Sequence, residues 1–174
     1  MDYQPHNSPG ELGARATLTV VGEVTAINDG RVFGSGPSRD NEPVFLNVTL
    51  TVRVARVLAG DETLVRDGLV YVEIARTKVT SVESFQRATP ANQQVVLFLD
   101  DYSGGLGTFP LIEKAPSIPD GATVFAPYAD GFLLEDRSSG ELIGGFDPLE
   151  EMAPAWSESI ESVESFTAEH FPAA

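Results

Sequence analysis

The strongest constraint on this chain is a strict alternation of apolar and polar residues from Val44 to Val54. Six aliphatic residues occupy every second position, and four of the five side chains between them are polar or charged. This period of two is typical of a β-strand with one buried face. The alternation fails at Arg56, which would point into the core in the same register, so we predict a β-bulge or sharp bend at 54–56. Long, bent strands are typical of small closed barrels.

Further strands are predicted where short apolar runs lie between turn residues. In chain order they are Thr17–Ile27, Leu69–Ala75, Gln94–Leu99, Phe109–Glu113, Thr123–Tyr128, Phe132–Glu135 and Leu142–Phe146. Residues 94–99 are apolar on both faces, which indicates a strand covered on each side. Gly22 interrupts the first strand at a point where another backbone could approach closely.

The connections between these strands carry turn and loop chemistry. Residues 28–43 are rich in Gly, Ser, Pro and Asp and indicate a long loop. Residues 129–131 and 137–140 have the composition of hairpin turns. One short helical turn is expected at 82–87, and the glycine-rich stretch at 104–107 is interpreted as a mobile connection.

The end of the chain follows a different period. Trp156, Ile160, Val163 and Phe166 recur at spacings of three to four, with glutamates elsewhere on the helical wheel. This spacing predicts one amphipathic helix over 157–170. We therefore expect a mainly β chain with a C-terminal α-helix, in which a small barrel is favoured over the alternative of a β-sandwich plus helix.

Length and charge limit the possible functions. The chain has 174 residues, no cysteine and a formal net charge of −15, which suits a single domain over 17–174 preceded by a flexible segment over 1–16. Residues 130–174 contribute −10 of that charge. Such a field repels nucleic acid, so direct nucleic-acid binding is not expected. No run of about 18 apolar residues is present, so we expect no transmembrane segment.

The residues available for catalysis are few. The two histidines, His6 and His170, lie near the two ends of the chain, where neither is placed for a serine hydrolase triad. Asp100 and Asp101 form the carboxylate pair most suggestive of a site, because they follow a buried strand and precede a glycine-rich loop. No segment has the spacing of a metal site or a phosphate loop. We expect no catalytic residue, no metal and no cofactor.

Four spaced segments resemble a known family. They are Thr19–Val24, Val57–Gly60, Gly68–Glu73 and Gln94–Leu99. Their order is similar to that of bacterial exported domains related to the netrin-like module, which includes the tissue inhibitors of metalloproteinases. The resemblance covers about residues 17–100 and implies an OB-like Greek-key barrel in an exported protein that acts by contact. Inhibition through an N-terminal cysteine does not carry over, because this chain has none.

These observations favour a non-enzymatic, exported module that binds a protein partner. An extracellular or cell-surface location in a bacterium is favoured over the cytoplasm, and the Pro/Gly-rich lead also suits a tether behind a signal peptide or lipid anchor. Two alternatives are an intracellular acidic decoy that mimics nucleic acid and binds a basic protein, and a carboxylate-dependent hydrolase. The candidate binding residues lie in the loops at 28–43 and 102–108. They are Arg31, Phe33, Arg39, Tyr102 and Thr108.

Overall fold

The computed structural model describes residues 6–36, 42–144 and 162–172. Its strands are β1 (Leu18–Gly34), β2 (Pro43–Gly60), β3 (Leu69–Arg76), β4 (Gln93–Asp101), β5 (Leu111–Glu113), β6 (Val124–Glu135) and β7 (Leu142–Gly144). Its α-helices are α1 (Pro9–Arg15), α2 (Val82–Ala88) and α3 (Val163–His170), and a 3₁₀ turn lies at Glu62–Leu64. None of the helices in these ranges is long and apolar enough to cross a membrane.

Five of the strands form a closed ring. β1 pairs with β2, β2 with β3, β3 with β6, β6 with β4, and β4 returns to β1. Every pairing in this ring is antiparallel except that of β3 with β6, which is parallel. The pairing of β3 with β6 is short, at Tyr71 and Val72 only. The short strands β5 and β7 pair with β1 and β6 and are not part of the ring. The predicted mainly β chain with a C-terminal helix is therefore confirmed, with its main strands joined in one closed sheet.

The long strand β2 bends where the alternation fails. Val21 pairs with Arg56 and Gly22 with Val54, so Ala55 is an extra residue in the ladder and the predicted bulge is confirmed. Arg56 is consequently exposed. A Cβ on Gly22 would lie 2.4 Å from the backbone carbonyl oxygen of Arg53. The close approach of two strands at Gly22 therefore requires glycine.

The described residues form two apolar clusters, one on each face of β4. Inward-facing residues such as Leu97 pack inside the ring, whereas Phe98 faces outward and packs beneath α1 and α3 together with Leu12 and Phe166. All five residues of Val95–Leu99 are fully buried. This explains the run without alternation, since both faces of the strand are covered.

Three predicted boundaries are corrected. Residues 28–34 are not a loop, because they continue β1 and pair with β2 as far as Gly34. Residues 129–131 are not a hairpin turn; they belong to a bulge inside β6, where 128–131 oppose the single residue Phe98. Residues 9–15 of the segment predicted as flexible form α1, because Ser8 caps the helix and Leu12 is buried.

Other predicted elements are confirmed. Residues 82–88 form helix α2, and the turn at 137–140 joins β6 to β7 with Gly140 at a positive φ of 75°. The predicted helix over 157–170 is confirmed for 163–170, as α3, and ends at His170 as expected. It is wrong at Ser162, whose extended backbone caps the helix, so 157–170 is not one continuous helix. The predicted helical residues 157–161, with Trp156 and Ile160, lie outside the described residues, as do 145–146 of the last strand.

Candidate functional site

The candidate site begins with a bulge in β1. Asp29 pairs with Val48 and Val32 with Leu46, so Gly30 and Arg31 together oppose the single residue Asn47. A Cβ at Gly30 would lie 2.8 Å from the Cβ of Asn47, which is too close for any other residue. The bulge directs the Arg31 side chain across the outer face of the ring toward β3.

Glu73 on β3 receives Arg31 in a buried ion pair. The backbone N–H of Arg31 donates to Oε1 of Glu73 at 2.7 Å, and its Nε donates to Oε2 at 2.9 Å. Asn47 donates to the backbone carbonyl of Arg31 at 3.2 Å. The Glu73 side chain has no exposed surface, and that of Arg31 is only 9% exposed. This pair therefore avoids an uncompensated buried charge, which would be very costly.

The two terminal nitrogens of the Arg31 guanidinium donate hydrogen bonds to the connection that follows β4. Nη1 donates to the carbonyl of Ser103 at 2.9 Å, and Nη2 donates to that of Tyr102 at 2.7 Å. The guanidinium carbon lies 5.3 Å from the ring centre of Phe33 and 5.1 Å from that of Tyr102, within the range of cation–π attraction. We call Arg31, Phe33, Asn47, Glu73 and Tyr102 the Arg31 cluster. It fastens the 102–110 connection to the β1–β2 hairpin.

The phenol of Tyr102 reflects the same surroundings. Burial raises the pKa of Tyr102, and the Glu73 carboxylate raises it further, while Arg31 and Asn47 act in the opposite direction. A cavity of 300 Å³ lies beside Tyr102, with walls that include Ala75, Ala126 and Pro127. Glu73 and Asn47 also line this cavity. The carboxylate oxygens of Glu73 accept hydrogen bonds from Arg31 and Asn47, and its side chain has no exposed surface.

Gly105, in the glycine-rich stretch, packs directly on the Arg31 cluster. Its N–H donates to the carbonyl of Tyr102 at 2.8 Å, its φ is 65°, and an added Cβ would lie 2.5 Å from the Phe33 ring. Gly107 has nearly the same φ, 64°, but no atom within 4 Å of an added Cβ. Comparing the same substitution at the two glycines therefore separates the effect of backbone strain from the effect of crowding.

We expect Gly105→Ala to destabilise the protein more than Gly107→Ala. Both substitutions place alanine in the left-handed region, at a cost of about 1–2 kcal/mol, and only the first crowds a buried ring, at about 1–3 kcal/mol more. Urea unfolding of both variants measures the difference. Equal losses of stability would contradict the packing of Gly105 on Phe33.

Beyond the cluster, apolar side chains are exposed at one end of the ring. The exposed large hydrophobic residues among those described are Val44, Val79, Leu111 and Ile143. The first three lie on or just beyond strand ends at one end of the ring. Val44 is near the start of β2, Leu111 on β5 pairs with Phe33 near the end of β1, and Val79 follows the end of β3, where Arg76 pairs with Leu46. Ile143 lies on β7, elsewhere on the ring.

Two half-buried aromatic rings complete this end. Phe45 and Phe109 pack edge to face with their centres 4.7 Å apart, and the N–H of Gly34 donates to the carbonyl of Pro110 at 2.9 Å. We call Val44, Phe45, Val79, Phe109 and Leu111 the apolar rim. The contacts of the Arg31 cluster join the β1–β2 hairpin to the 102–110 connection, and these two segments carry most of the apolar rim.

The structure brings three of the five predicted binding residues together. Arg31 and Phe33 are buried and Tyr102 is half-buried. These three residues therefore lie beneath the exposed surface and are not placed to contact a partner directly. Thr108 is exposed, next to Phe109. Arg39 lies outside the described residues. Sequence reasoning missed Glu73 and Asn47, because nothing local marks two outward-facing polar residues on strands as partners of Arg31.

Asp100 and Asp101 are used in local hydrogen bonds. Asp100 accepts from the hydroxyl of Thr17 at 2.8 Å, and Asp101 accepts from the backbone N–H of Ser103 at 2.8 Å. As consecutive strand residues, they point to opposite faces of the sheet. Hydrogen bonds from the backbone N–H and then the side chain of Ser103 lower the pKa of Asp101; burial opposes them, and Arg31 has a smaller lowering effect. A general acid needs the opposite shift.

We expect the Asp101 carboxyl to titrate below the usual aspartate pKa of about 3.9 in the folded chain. Because the folded state favours the carboxylate, its contribution to stability is present at neutral pH and is lost as the pH falls through this lowered pKa. Carboxyl-detected NMR titration measures it. Ser103→Ala should raise the pKa of Asp101 only part of the way toward the usual value, because alanine keeps the backbone N–H that makes the larger contribution and removes only the side-chain hydrogen bond. An Asp101 pKa at the usual value in the unmodified chain would contradict the hydrogen bonds that Asp101 accepts from Ser103.

A second buried cluster was not anticipated. The backbone N–H of His6 donates to Oδ2 of Asp130 at 2.8 Å, and its Nδ1 lies 3.1 Å from the same oxygen. Arg15 lies 3.2 Å from Nε2 of His6, and the Tyr128 ring packs against His6 edge to face. Asp130 can reach His6 because the β6 bulge turns it outward. His6, predicted to lie in a tail, thus ties the N-terminal segment to the ring.

The described residues contain no group of three or more His, Asp or Glu side chains that could hold a metal ion. A scan against protein-family models and a search of curated proteins both find no match to this chain.

Proposed function

We propose that this protein is a non-enzymatic interaction module that binds a protein partner through the apolar rim. The single observation that carries the proposal is the placement of exposed apolar residues, since Val44, Val79 and Leu111 all lie on or just beyond strand ends at the same end of the ring. Exposed apolar groups gathered in one region are typical of interaction sites, whereas singly scattered ones are not informative.

The support beneath the rim favours binding by a preformed surface. The Arg31 guanidinium joins the β1–β2 hairpin to the 102–110 connection through two carbonyl groups and Glu73. A surface fixed in this way loses little conformational freedom when a partner binds, and this lowers the cost of association. The Phe45–Phe109 pair adds aromatic area, which is enriched at protein interfaces.

We further propose that the ring is an OB-type barrel, as the resemblance to netrin-like domains implies. The apolar rim lies beside the described ends of the connection from β1 to β2 and on the connection from β4 to β6, the fourth and fifth strands of the ring. In OB-folds these two connections carry ligand contacts. The same resemblance supports an exported, extracellular or cell-surface protein, which fractionation of cells expressing the full gene product would test.

A charge substitution in the rim tests the binding proposal. We expect Leu111→Asp to weaken partner binding by about 2 kcal/mol or more, roughly 30-fold in Kd, because an aspartate would be desolvated in the interface. Ile143→Asp is the matched control, since the two side chains are 45% and 44% exposed and both lie on short outer strands.

The measurement is quantitative capture from extracts and culture medium of the source organism on the immobilised full chain. A true partner is retained by the unmodified chain and by Ile143→Asp and is lost from Leu111→Asp. Each captured candidate is then titrated in purified form. If Leu111→Asp retains every protein that the Ile143→Asp variant retains, the rim is not the interface.

Salt dependence separates this proposal from the acidic decoy. Contact through apolar side chains is weakened little by added salt, whereas binding of a basic protein to exposed carboxylates is screened strongly as the Debye length falls from about 10 Å at 0.1 M to about 3 Å at 1 M. Binding that collapses over this range and is indifferent to Leu111→Asp would favour the decoy.

A further inference from the structure

We draw no further inference here: the strongest candidate, the 740 Å³ groove between α3 and the outer face of β1 and β2, lined by residues that include Val21, Arg56, Val163, Thr167 and Phe171, carries nothing because nothing in the structure shows what covers it.

Discussion

Replacing Glu73 by glutamine is expected to destabilise the protein by about 3–5 kcal/mol. The substitution preserves the shape of the side chain but leaves the Arg31 guanidinium buried without its counter-charge. An uncompensated buried charge retains most of its desolvation penalty, while the attraction that offset it is lost. Urea unfolding followed by circular dichroism measures the change in the free energy of unfolding.

Two controls show whether the buried pair is the cause. The double variant Arg31→Met with Glu73→Leu removes both charges, and we expect it to be more stable than Glu73→Gln. Lys114→Ala breaks an ion pair with Asp120 in which both side chains are largely exposed, so it should cost less than about 1 kcal/mol. A Glu73→Gln variant no less stable than Lys114→Ala would contradict the buried pairing.

Truncation of Phe166 to alanine is expected to cost about 3–5 kcal/mol. This ring is fully buried on α3 and meets Phe98 of β4 edge to face, with the ring centres 6.5 Å apart. Its removal leaves a cavity between the helix and the outer face of the ring, which neighbouring side chains fill only in part. The effect is again measured by urea unfolding.

Glu169→Ala is the control in the same helix. The Glu169 side chain is 62% exposed, so we expect a change within about 0.5 kcal/mol. If Phe166→Ala behaves like Glu169→Ala, then α3 does not stabilise the domain by covering β4. A large loss in Phe166→Ala alone would establish that the outer apolar cluster is a second core of the domain.

The strands can be predicted from the sequence because the patterns that indicate them involve only neighbouring residues. The alternation over 44–54 depends only on the two faces of a pleated strand, and its failure at Arg56 marks the bulge at Ala55 for the same reason. The run at 95–99, which is apolar on both faces, indicates a strand buried on both sides, whichever elements pack against it. These inferences need no knowledge of which strand pairs with which.

The errors arose where local chemistry is ambiguous. Asp130 and Gly131 fit a hairpin turn and a bulge equally well. The structure has a bulge, because β4 pairs with β6 on both sides of these residues. Glycine and aspartate at 28–34 indicated a loop, yet Gly30 serves a bulge within a strand whose pairing continues to Gly34. Turn residues mark irregular backbone without stating whether the strand ends there.

The long alternating strand, its bend and the mainly β character were determined by the sequence alone, since neighbouring residues create them. The Arg31 cluster and the apolar rim were decided only by the tertiary structure. Glu73 lies 42 positions from Arg31 and Ser103 lies 72 positions away, so they meet only once β1 to β3 have paired and the ring has closed. Loop-closure entropy is offset at that stage by pairing and burial across the whole ring, which no single segment encodes.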